Sequence, residues 1–364
     1  MGSEPSLSAT AYINRIATVV PEHEVHGAFV ARAGKLLRDR RALALFRRMA
    51  ERSQIDSRWS CLPCGAERED RIDEAGFYTL GRFPSTAARM RRYEQEAAPL
   101  AIRAVEALGL GAEAAAVTHL ITITCTGFAA PGVDFALMRH FGLNPGLERS
   151  SVGFMGCHAA INALKLARHI VRSDPGAKVL LVSLELCTLH LQESENLEQV
   201  LSFLIFGDGC AAALVTAAPE GLALDSFQAV LVPETEQHIS WRIGDAGFDM
   251  VLSGHVPAGV AEGLRQGTEA VLRGAAPEEI DLWAIHPGGR SVLDAVEGAL
   301  ALPATALETS RGVLRDHGNM SSATVLFVLR RMLEAARPGQ RGCAMAFGPG
   351  MVAETMLFHT ASPA

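Results

Sequence analysis

The residues with the clearest chemical potential are a cysteine, a histidine and an asparagine that lie far apart in the chain, each next to glycine or proline. Cys157 follows Gly156 and begins the helix-forming stretch "CHAAINALKLARHIV", whereas His286 stands in "AIHPGG" and Asn319 in "HGNMSS". A cysteine at the start of a helix lies in the positive field of the helix dipole, and a nearby histidine lowers the pKa of its thiol further. We therefore expect Cys157 to be a thiolate near neutral pH that can attack a thioester.

His286 and Asn319 could supply hydrogen-bond donors to the same reaction. A histidine N–H and an asparagine N–H directed at one oxygen form an oxyanion hole, worth about 3 kcal/mol per donor. Such a hole can stabilise the enolate that remains when a malonyl thioester loses carbon dioxide. His158 is the rival base because it adjoins Cys157, but neighbouring side chains on a helix do not face each other. We expect His158 to line the pocket or to be a hydrogen-bonded core residue.

The other cysteines bear on whether Cys157 is instead a metal ligand, half of a disulfide or a buried filler. Of seven in the chain, several lie inside apolar stretches such as "LITITCTG" and "SLELCTLHL", as buried thiols do. Cys61 and Cys64, in "CLPC", have metal or redox spacing, but no second pair accompanies them. We expect no metal site and a reducing compartment. If Cys157 is considered alone, the favoured interpretation is a buried thiol that only fills space. The presence of His286 and Asn319 in their sequence contexts favours a nucleophile instead.

Composition narrows the class of protein. The chain has 364 residues, of which 49% are hydrophobic and 20% charged, so it can bury a large core as two units or one large α/β body. The net charge of −7 argues against general affinity for nucleic acid or for an anionic membrane. No apolar run approaches the roughly 20 residues of a membrane-spanning helix, and no signal-peptide core follows the N-terminus. We expect a cytoplasmic protein.

Strands and helices that could position these residues alternate along the chain. Short apolar stretches bounded by glycine or proline predict strands at 118–127, 178–186, 281–289 and 342–350. Helical patterns occupy 159–171 and 322–336, and the second ends at "RPG". Alternation of this kind predicts a layered α/β fold.

The first and second halves of the chain have a similar arrangement of these strands and helices. Cys157 follows Cys125 by 32 residues and Asn319 follows His286 by 33, in each case between a strand and a helix that leads to the next strand. Such similar spacing suggests an internal duplication, with one half at 1–218 and the other at 219–364. Packed about a pseudo-twofold axis, the halves would bring Cys157 and Asn319, each at a helix N-terminus, together with His286 at their interface. Such junctions are common ligand sites.

Several motifs identify a family. "GFMGCHAAINALKLA", "LIFGDGCAAALV", "WAIHPGGRSVLDAVEGAL", "LRDHGNMSSATVLFVL" and "AFGPGMVAETMLF" together resemble the type III polyketide synthases of the chalcone synthase superfamily, over about Ala11 to Phe358. The resemblance implies a thiolase-like αβαβα fold built from two duplicated β-α-β halves. It also implies acyltransferase activity, namely iterative decarboxylative condensation of malonyl-CoA onto an acyl-CoA starter, followed by cyclisation.

The resemblance also implies roles for individual residues. Cys157 would hold the starter and the growing chain as a thioester. His286 and Asn319 would bind the thioester carbonyl and promote decarboxylation, and His286 would keep the thiolate charged. Phe206, in "LIFGDG", matches the phenylalanine between the coenzyme A tunnel and the cavity, with core packing as the alternative. Acyl-CoA and malonyl-CoA would be the substrates, no metal or redox cofactor would be needed, and the protein would be a homodimer.

Coenzyme A phosphates in this family are bound by basic residues on an N-terminal helix. Here "ALFRRMAERSQI" supplies Arg48 and Arg52 at the matching positions, while Leu45 stands where a lysine is common. Arginine suits phosphate because its planar guanidinium donates two parallel hydrogen bonds. A solvated helix face is the alternative for either arginine.

The cavity residues differ from those of the plant enzymes. The loop Gly348-Pro349-Gly350 would form part of the cyclisation wall, where glycine allows close approach to a ligand. Cys125 and His190 replace threonines of plant chalcone synthases, and Ala130 replaces a methionine that crosses their dimer interface. These differences indicate bacterial members that make alkylresorcinols, alkylpyrones or phloroglucinol-type compounds rather than chalcone.

Two other functions stay open at this point. A β-ketoacyl-carrier-protein synthase III-like enzyme would use the same three residues for a single condensation. An inactive scaffold that only binds acyl-CoA would be expected to lack the nucleophile, which Cys157 supplies.

Overall fold

The computed structural model describes residues 9–361, so the outer ends of the predicted halves 1–218 and 219–364 lie outside the described residues. In chain order the strands are β1 Tyr12–Val19, β2 His23–Glu24, β3 Trp59–Ser60, β4 His119–Thr124, β5 Glu148–Gly153, β6 Val179–Leu186, β7 Asp208–Thr216, β8 Leu222–Leu231, β9 Ile239–Gly244, β10 Gly247–Leu252, β11 Leu282–Ile285, β12 Arg341–Gly348 and β13 Val352–Thr360. The helices are α1 His26–Arg32, α2 Arg40–Arg52, α3 Thr86–Leu108, α4 Val133–Phe141, α5 Ala159–Ser173, α6 Leu197–Ile205, α7 Val256–Leu272, α8 Arg290–Ala299, α9 Glu308–His317 and α10 Thr324–Ala335.

The main sheet consists of two half-sheets joined at one edge. Its strand order is β11-β12-β13-β8-β1-β7-β6-β4-β5, and β1 meets β8 through only two residue pairs, Tyr12 with Ala223 and Ile13 with Leu222. One half-sheet therefore comprises β1, β7, β6, β4 and β5, and the other comprises β8, β13, β12 and β11.

Three apolar layers separate these half-sheets from the helices. Alternate residues of β6 point to opposite faces, so Leu180 packs with the layer that contains α3 while Leu181 packs with the layer that contains α5 and α10. On the other half-sheet Met345 of β12 packs with the layer that contains α7 and α8. Every residue of β6 is buried because helices cover both faces of its sheet. The order of layers is αβαβα, and the predicted thiolase-like fold class is confirmed.

The predicted strands and helices are confirmed as β4, β6, β11, β12, α5 and α10, and both central helices lie in the middle layer. A single 3-10 turn precedes each helix, Gly156–His158 before α5 and Ser321–Ala323 before α10. The prediction that Asn319 sits at a helix N-terminus is wrong, since it precedes even the 3-10 turn. Its backbone forms a parallel bridge with Phe206, and this extended pairing keeps it out of the helix.

No helix within residues 9–361 has both the length and the apolar character needed to cross a bilayer. The same residues contain no group of three or more histidine, cysteine or acidic side chains arranged to hold a metal ion. All seven cysteines are free thiols, including Cys61 and Cys64.

Candidate active site

Cys157, His286 and Asn319 line one cavity of about 770 Å³ together with Phe206. Each residue comes from a different element: Cys157 from the turn before α5, His286 from the end of β11, and Asn319 from the segment between α9 and α10. The convergence expected from the duplicated spacing is therefore present in the structure.

A tight turn places the nucleophile candidate. Gly156 has a φ of +72°, and a Cβ atom there would lie 2.3 Å from Cδ of Pro349, so only glycine fits this position. The N–H of Gly156 donates to Sγ of Cys125 at 3.1 Å, which fixes the turn against the end of β4. The Cys157 thiol, only partly accessible from the cavity, lies 3.9 Å from the hydroxyl of Ser321.

Burial controls the protonation of this thiol. Loss of hydration raises the pKa of Cys157 to about 12; the nearby Ser321 hydroxyl and Asn319 amide oppose this rise, and the charge of Glu185 adds to it. Burial therefore opposes the thiolate expected near neutral pH, and the protonation state of Cys157 stays a prediction.

His286 is a neutral imidazole with both ring nitrogens uncommitted. Burial, followed by the nearby charge of His158, lowers the pKa of His286 to about 3. Its backbone N–H donates to Met345 at 2.7 Å, but neither ring nitrogen has a hydrogen-bond partner among the described residues. Buried polar atoms without partners are rare in folded proteins. A neutral imidazole has one donor and one acceptor, so His286 can receive a proton and donate a hydrogen bond.

Hydrogen bonds fix the orientation of the Asn319 carboxamide. Its Oδ1 accepts from the N–H of Ser321 at 2.8 Å and from the hydroxyl of Thr324 at 3.4 Å. Its Nδ2 is 3.3 Å from the carbonyl oxygen of Gly288, two residues after His286. The N–H groups therefore face the side of the cavity that carries His286, with a favourable contact to the Cys157 sulfur.

Phe206 stands where three cavities meet. It borders the main cavity, an inner cavity of about 30 Å³ and a separate cavity of about 70 Å³. Cys125, Cys157 and Pro349 also line the inner cavity, and Trp241 closes part of it with its indole N–H donating to the Cys125 carbonyl at 2.7 Å.

His190 lies behind this wall instead of in it. Its Nε2 faces the Thr126 carbonyl at 2.7 Å and its Nδ1 accepts from the Phe248 N–H at 3.1 Å, which together define a neutral tautomer. The ring stacks on Phe248 at 4.2 Å and meets Trp241 edge-on at 5.3 Å. His190 therefore reaches the inner cavity through Thr126 and Trp241, which both line it. The resemblance places His190 among the residues that shape the cavity, and the residues lining the three cavities do not include it.

The glycines beside Pro349 have steric functions. A Cβ atom on Gly348 would lie 2.3 Å from Cδ2 of His158, and Gly350 has a φ of +83°. His158 is buried, with Nδ1 2.8 Å from Oδ1 of Asn162, so it packs beneath the loop as a hydrogen-bonded core residue.

Basic residues surround the mouth of the main cavity. Arg52, at the end of α2, is one of its lining residues, and Arg48 is exposed one turn earlier on the same helix face. Arg290, which begins α8, also lines the mouth and donates to the Arg52 carbonyl at 3.2 Å. Sequence reasoning missed Arg290, although its position directly after the "HPGG" turn was a usable signal.

Sequence reasoning also missed a buried carboxylate behind the nucleophile. Glu185 accepts from the N–H of Cys125 at 2.9 Å and from the hydroxyls of Thr126 and Ser322. Burial raises its pKa, and these hydrogen bonds oppose the rise. A single charged residue inside the apolar strand "VLLVSLEL" was a signal that could have indicated it.

Comparisons with known proteins show which proteins this chain is similar to. The chain matches the family models for the N-terminal domain of chalcone and stilbene synthases over residues 16–219 and the C-terminal domain over residues 223–362. It is 34% identical to the "Alpha-pyrone synthesis polyketide synthase-like Pks18" of Mycobacterium tuberculosis, over 96% of this chain and 91% of that protein.

Solved structures share the fold. The type III polyketide synthase domain of Steely1 from Dictyostelium superposes with a TM-score of 0.89 at 23% identity, covering 97% of this chain and all 100% of that one. PKS-I from the brown alga Ectocarpus siliculosus gives 0.84 at 27% identity, with 98% and 100% coverage.

Proposed function

The chain belongs to the chalcone and stilbene synthase family, that of the type III polyketide synthases, and we propose that Cys157, His286 and Asn319 carry its acyltransferase chemistry. The observation that carries this proposal is that the three side chains share one cavity, where both ring nitrogens of His286 lack protein partners.

Loading of the starter begins from a neutral thiol. As the Cys157 sulfur attacks the carbonyl carbon of an acyl-CoA, His286 takes the thiol proton through its unprotonated ring nitrogen. The tetrahedral intermediate collapses, the C–S bond to coenzyme A breaks, and the proton passes from His286 to the departing thiolate. We propose that this transfer is concerted with the attack, because burial disfavours a separate thiolate or imidazolium and the two charges formed stabilise each other.

Extension uses His286 and Asn319 as donors. A malonyl-CoA carbonyl oxygen in reach of the imidazole N–H and the Asn319 Nδ2 accepts both hydrogen bonds. Carbon dioxide leaves, and the negative charge of the enolate falls on that oxygen. The enolate carbon attacks the acyl group on Cys157, the thioester bond to the enzyme breaks, and the lengthened chain is carried by coenzyme A. Its return to Cys157 allows another cycle.

Substrates enter past Phe206 and the basic mouth. Type III polyketide synthases use coenzyme A thioesters, and we propose that Arg48, Arg52 and Arg290 meet the phosphates while Phe206 divides the entrance from the inner cavity. Cys125 and Pro349 would shape that inner cavity directly. No metal or redox cofactor has a part in this scheme.

For the product we propose a pyrone or a phenolic ring, with a pyrone favoured by the likeness to the mycobacterial pyrone-forming protein. The match to both synthase domains favours repeated extension over the single condensation considered above. We further propose that the halves 1–218 and 219–364 arose by duplication and that the protein works in the cytoplasm.

We propose a symmetric homodimer formed through the edge of the first half-sheet. Strand β5 is the terminal strand there, and one of its sides has no strand partner within residues 9–361. Phe128 and Phe135, both 42% exposed, border an adjacent groove of about 670 Å³. Exposed strand edges next to apolar residues favour association with a second copy.

The test combines one variant with product analysis. Cys157→Ala should abolish chain formation yet keep malonyl-CoA decarboxylation, because the oxyanion donors remain. Mass spectrometry of products from a panel of acyl-CoA starters with malonyl-CoA identifies the starter and the ring. Continued polyketide formation by Cys157→Ala contradicts the assignment of the nucleophile.

A further inference from the structure

Arg58 is a buried arginine that binds the end of the helix carrying Phe206. It is only 2% exposed, and its Nη1 donates to the carbonyl oxygens of Phe203, at 3.0 Å, and of Phe206. Its Nε donates to Nδ1 of His26 at 3.0 Å, and its guanidinium lies 5.0 Å from the centre of the Phe29 ring. The side chain is therefore held by contacts on several sides.

The bonds from Arg58 meet a specific need of α6. The last carbonyl groups of a helix lack intrahelical donors, and burying them unpaired is unfavourable. Arg58 supplies donors for Phe203 and Phe206, and the backbone N–H of Asn319 donates to the carbonyl of Ile205 at 2.8 Å. A cation at the C-terminus of a helix is further stabilised by the helix dipole.

The same helix end fixes the backbone of Asn319 on both sides. In addition to the bond from Asn319 to Ile205, the N–H of Gly207 donates to the Asn319 carbonyl at 2.9 Å. Phe206 and Asn319 therefore belong to one hydrogen-bonded unit at the C-terminal end of α6. Arg58 donates to carbonyl groups of the same helix end.

Arg58 also packs directly against the segment before Asn319. Gly318 has a φ of +66°, and a Cβ atom on it would lie 2.8 Å from Cγ of Arg58. The neighbours of Arg58 reach the same segment, since the N–H groups of Asp56 and Ser57 donate to the Arg315 carbonyl at 2.8 and 3.0 Å. The segment that carries Arg58 is therefore in direct contact with the segment that precedes Asn319.

The charge of Arg58 is kept without a directly bonded carboxylate. Burial lowers the pKa of Arg58 to about 10, against the effect of Glu24 and Asp208, so it remains charged at neutral pH. Burial also lowers the pKa of His26 to about 4, so that ring accepts the Arg58 hydrogen bond as a neutral group. Burying this cation carries a desolvation cost, which its hydrogen bonds to the carbonyl groups at the end of α6 offset.

We propose that Arg58 is a positioning residue for the condensation reaction, because it holds the Phe206 gate and the Asn319 amide donor in register through the C-terminal end of α6. It touches no substrate. The proposal rests on the function proposed above for Phe206 and Asn319.

The test compares Arg58→Met with Arg32→Met. Arg32 is a matched control because it is also buried, lines the same 70 Å³ cavity and caps three carbonyl groups at 2.6 Å, but these belong to Cys64, Gly65 and Ile72 and not to α6. Malonyl-CoA decarboxylation is measured per folded protomer, taken from the amplitude of the thermal unfolding transition of the same preparation, so a loss of folded protein does not alter the rate.

We expect Arg58→Met to lower the kcat for decarboxylation about 100-fold, as small misplacements of reacting groups do, with the KM for malonyl-CoA unchanged. Arg32→Met should keep the kcat of the wild type, and Arg58→Lys should recover part of the loss because its ammonium still donates to the helix end. A kcat for Arg58→Met equal to that of Arg32→Met overturns the proposal. If Arg58→Met does not fold, Arg58→Lys decides: wild-type kcat overturns the proposal and a lowered kcat at unchanged KM supports it.

Asn319→Ala in the same assay separates the two levels of argument. If Asn319→Ala decarboxylates as fast as the wild type, the function proposed for Asn319 fails. If Asn319→Ala is impaired while Arg58→Met is not, only the positioning by Arg58 fails.

Discussion

Asn319→Asp separates the two functions of the Asn319 side chain. The variant keeps an oxygen in the place of Oδ1, which accepts from Ser321 and Thr324 at 2.8 and 3.4 Å, but it replaces the Nδ2 donor. Loss of one oxyanion donor corresponds to about 2.7–4 kcal/mol, so the kcat of malonyl-CoA decarboxylation should fall about 10²- to 10³-fold. The thermal unfolding temperature should change little at a pH low enough to protonate the new carboxyl, and it should fall as the pH rises and the carboxyl ionises.

Asn319→Ala provides the comparison. It removes the donor and also leaves the Ser321 N–H without its acceptor, and an unpaired buried group is unfavourable by about 1–3 kcal/mol. Alanine should therefore lose a similar amount of decarboxylation as aspartate and lose stability in addition. The two losses are read from the initial rate of malonyl-CoA decarboxylation and from thermal unfolding of the same preparations.

The residual activity of Asn319→Asp should depend on pH in a defined direction. One oxygen of the new carboxyl group would stand 3.3 Å from the Gly288 carbonyl oxygen, and the site is buried, so the pKa of that carboxyl should be raised. Only the protonated acid has a donor, and activity should rise as the pH falls. Wild-type decarboxylation by Asn319→Asp at pH 8 would refute the assignment of Nδ2 as an oxyanion donor.

Three further predictions follow from the geometry. Because burial raises the pKa of Cys157 to about 12, the rate of its alkylation by iodoacetamide should rise about tenfold per pH unit between pH 7 and pH 9. Peptide mass spectrometry measures this rate, and a rate that reaches a plateau below pH 8 would show a preformed thiolate. Gly156→Ala combines a left-handed backbone with a contact of 2.3 Å to Pro349, so it should lower stability by at least about 1–2 kcal/mol in denaturant unfolding and slow acyl loading; unchanged stability would contradict the need for glycine. Arg290→Ala and Arg52→Ala should each raise the KM for malonyl-CoA with kcat unchanged, and more so at low salt; a KM independent of both substitutions would exclude the mouth as the phosphate site.

Local sequence patterns predict much of the fold and of the candidate site. The apolar stretches that became β4, β6, β11 and β12 are readable because strands covered on both faces must be apolar throughout. The similar spacing of the Cys125–Cys157 and His286–Asn319 segments predicted that these residues converge, and the residue types in them predicted the chemistry.

Other features depend on contacts that no local pattern records. Arg58 stands in the polar stretch "SQIDSRWS", which is typical of a solvated loop, yet it is buried against Phe206, 148 residues away. His190 likewise lies behind the cavity wall, where the backbone N–H of Phe248, 58 residues away, donates a hydrogen bond to it.

The amino-acid sequence by itself determined the αβαβα layers and the identity of the cysteine, histidine and asparagine. Only the tertiary structure decided that Asn319 precedes its helix and that burial disfavours the charged forms of the thiol and the imidazole. The physical reason is that both outcomes depend on burial and on long-range hydrogen bonds. These arise only when α5, β11 and the end of α6 surround one cavity and exclude water from it.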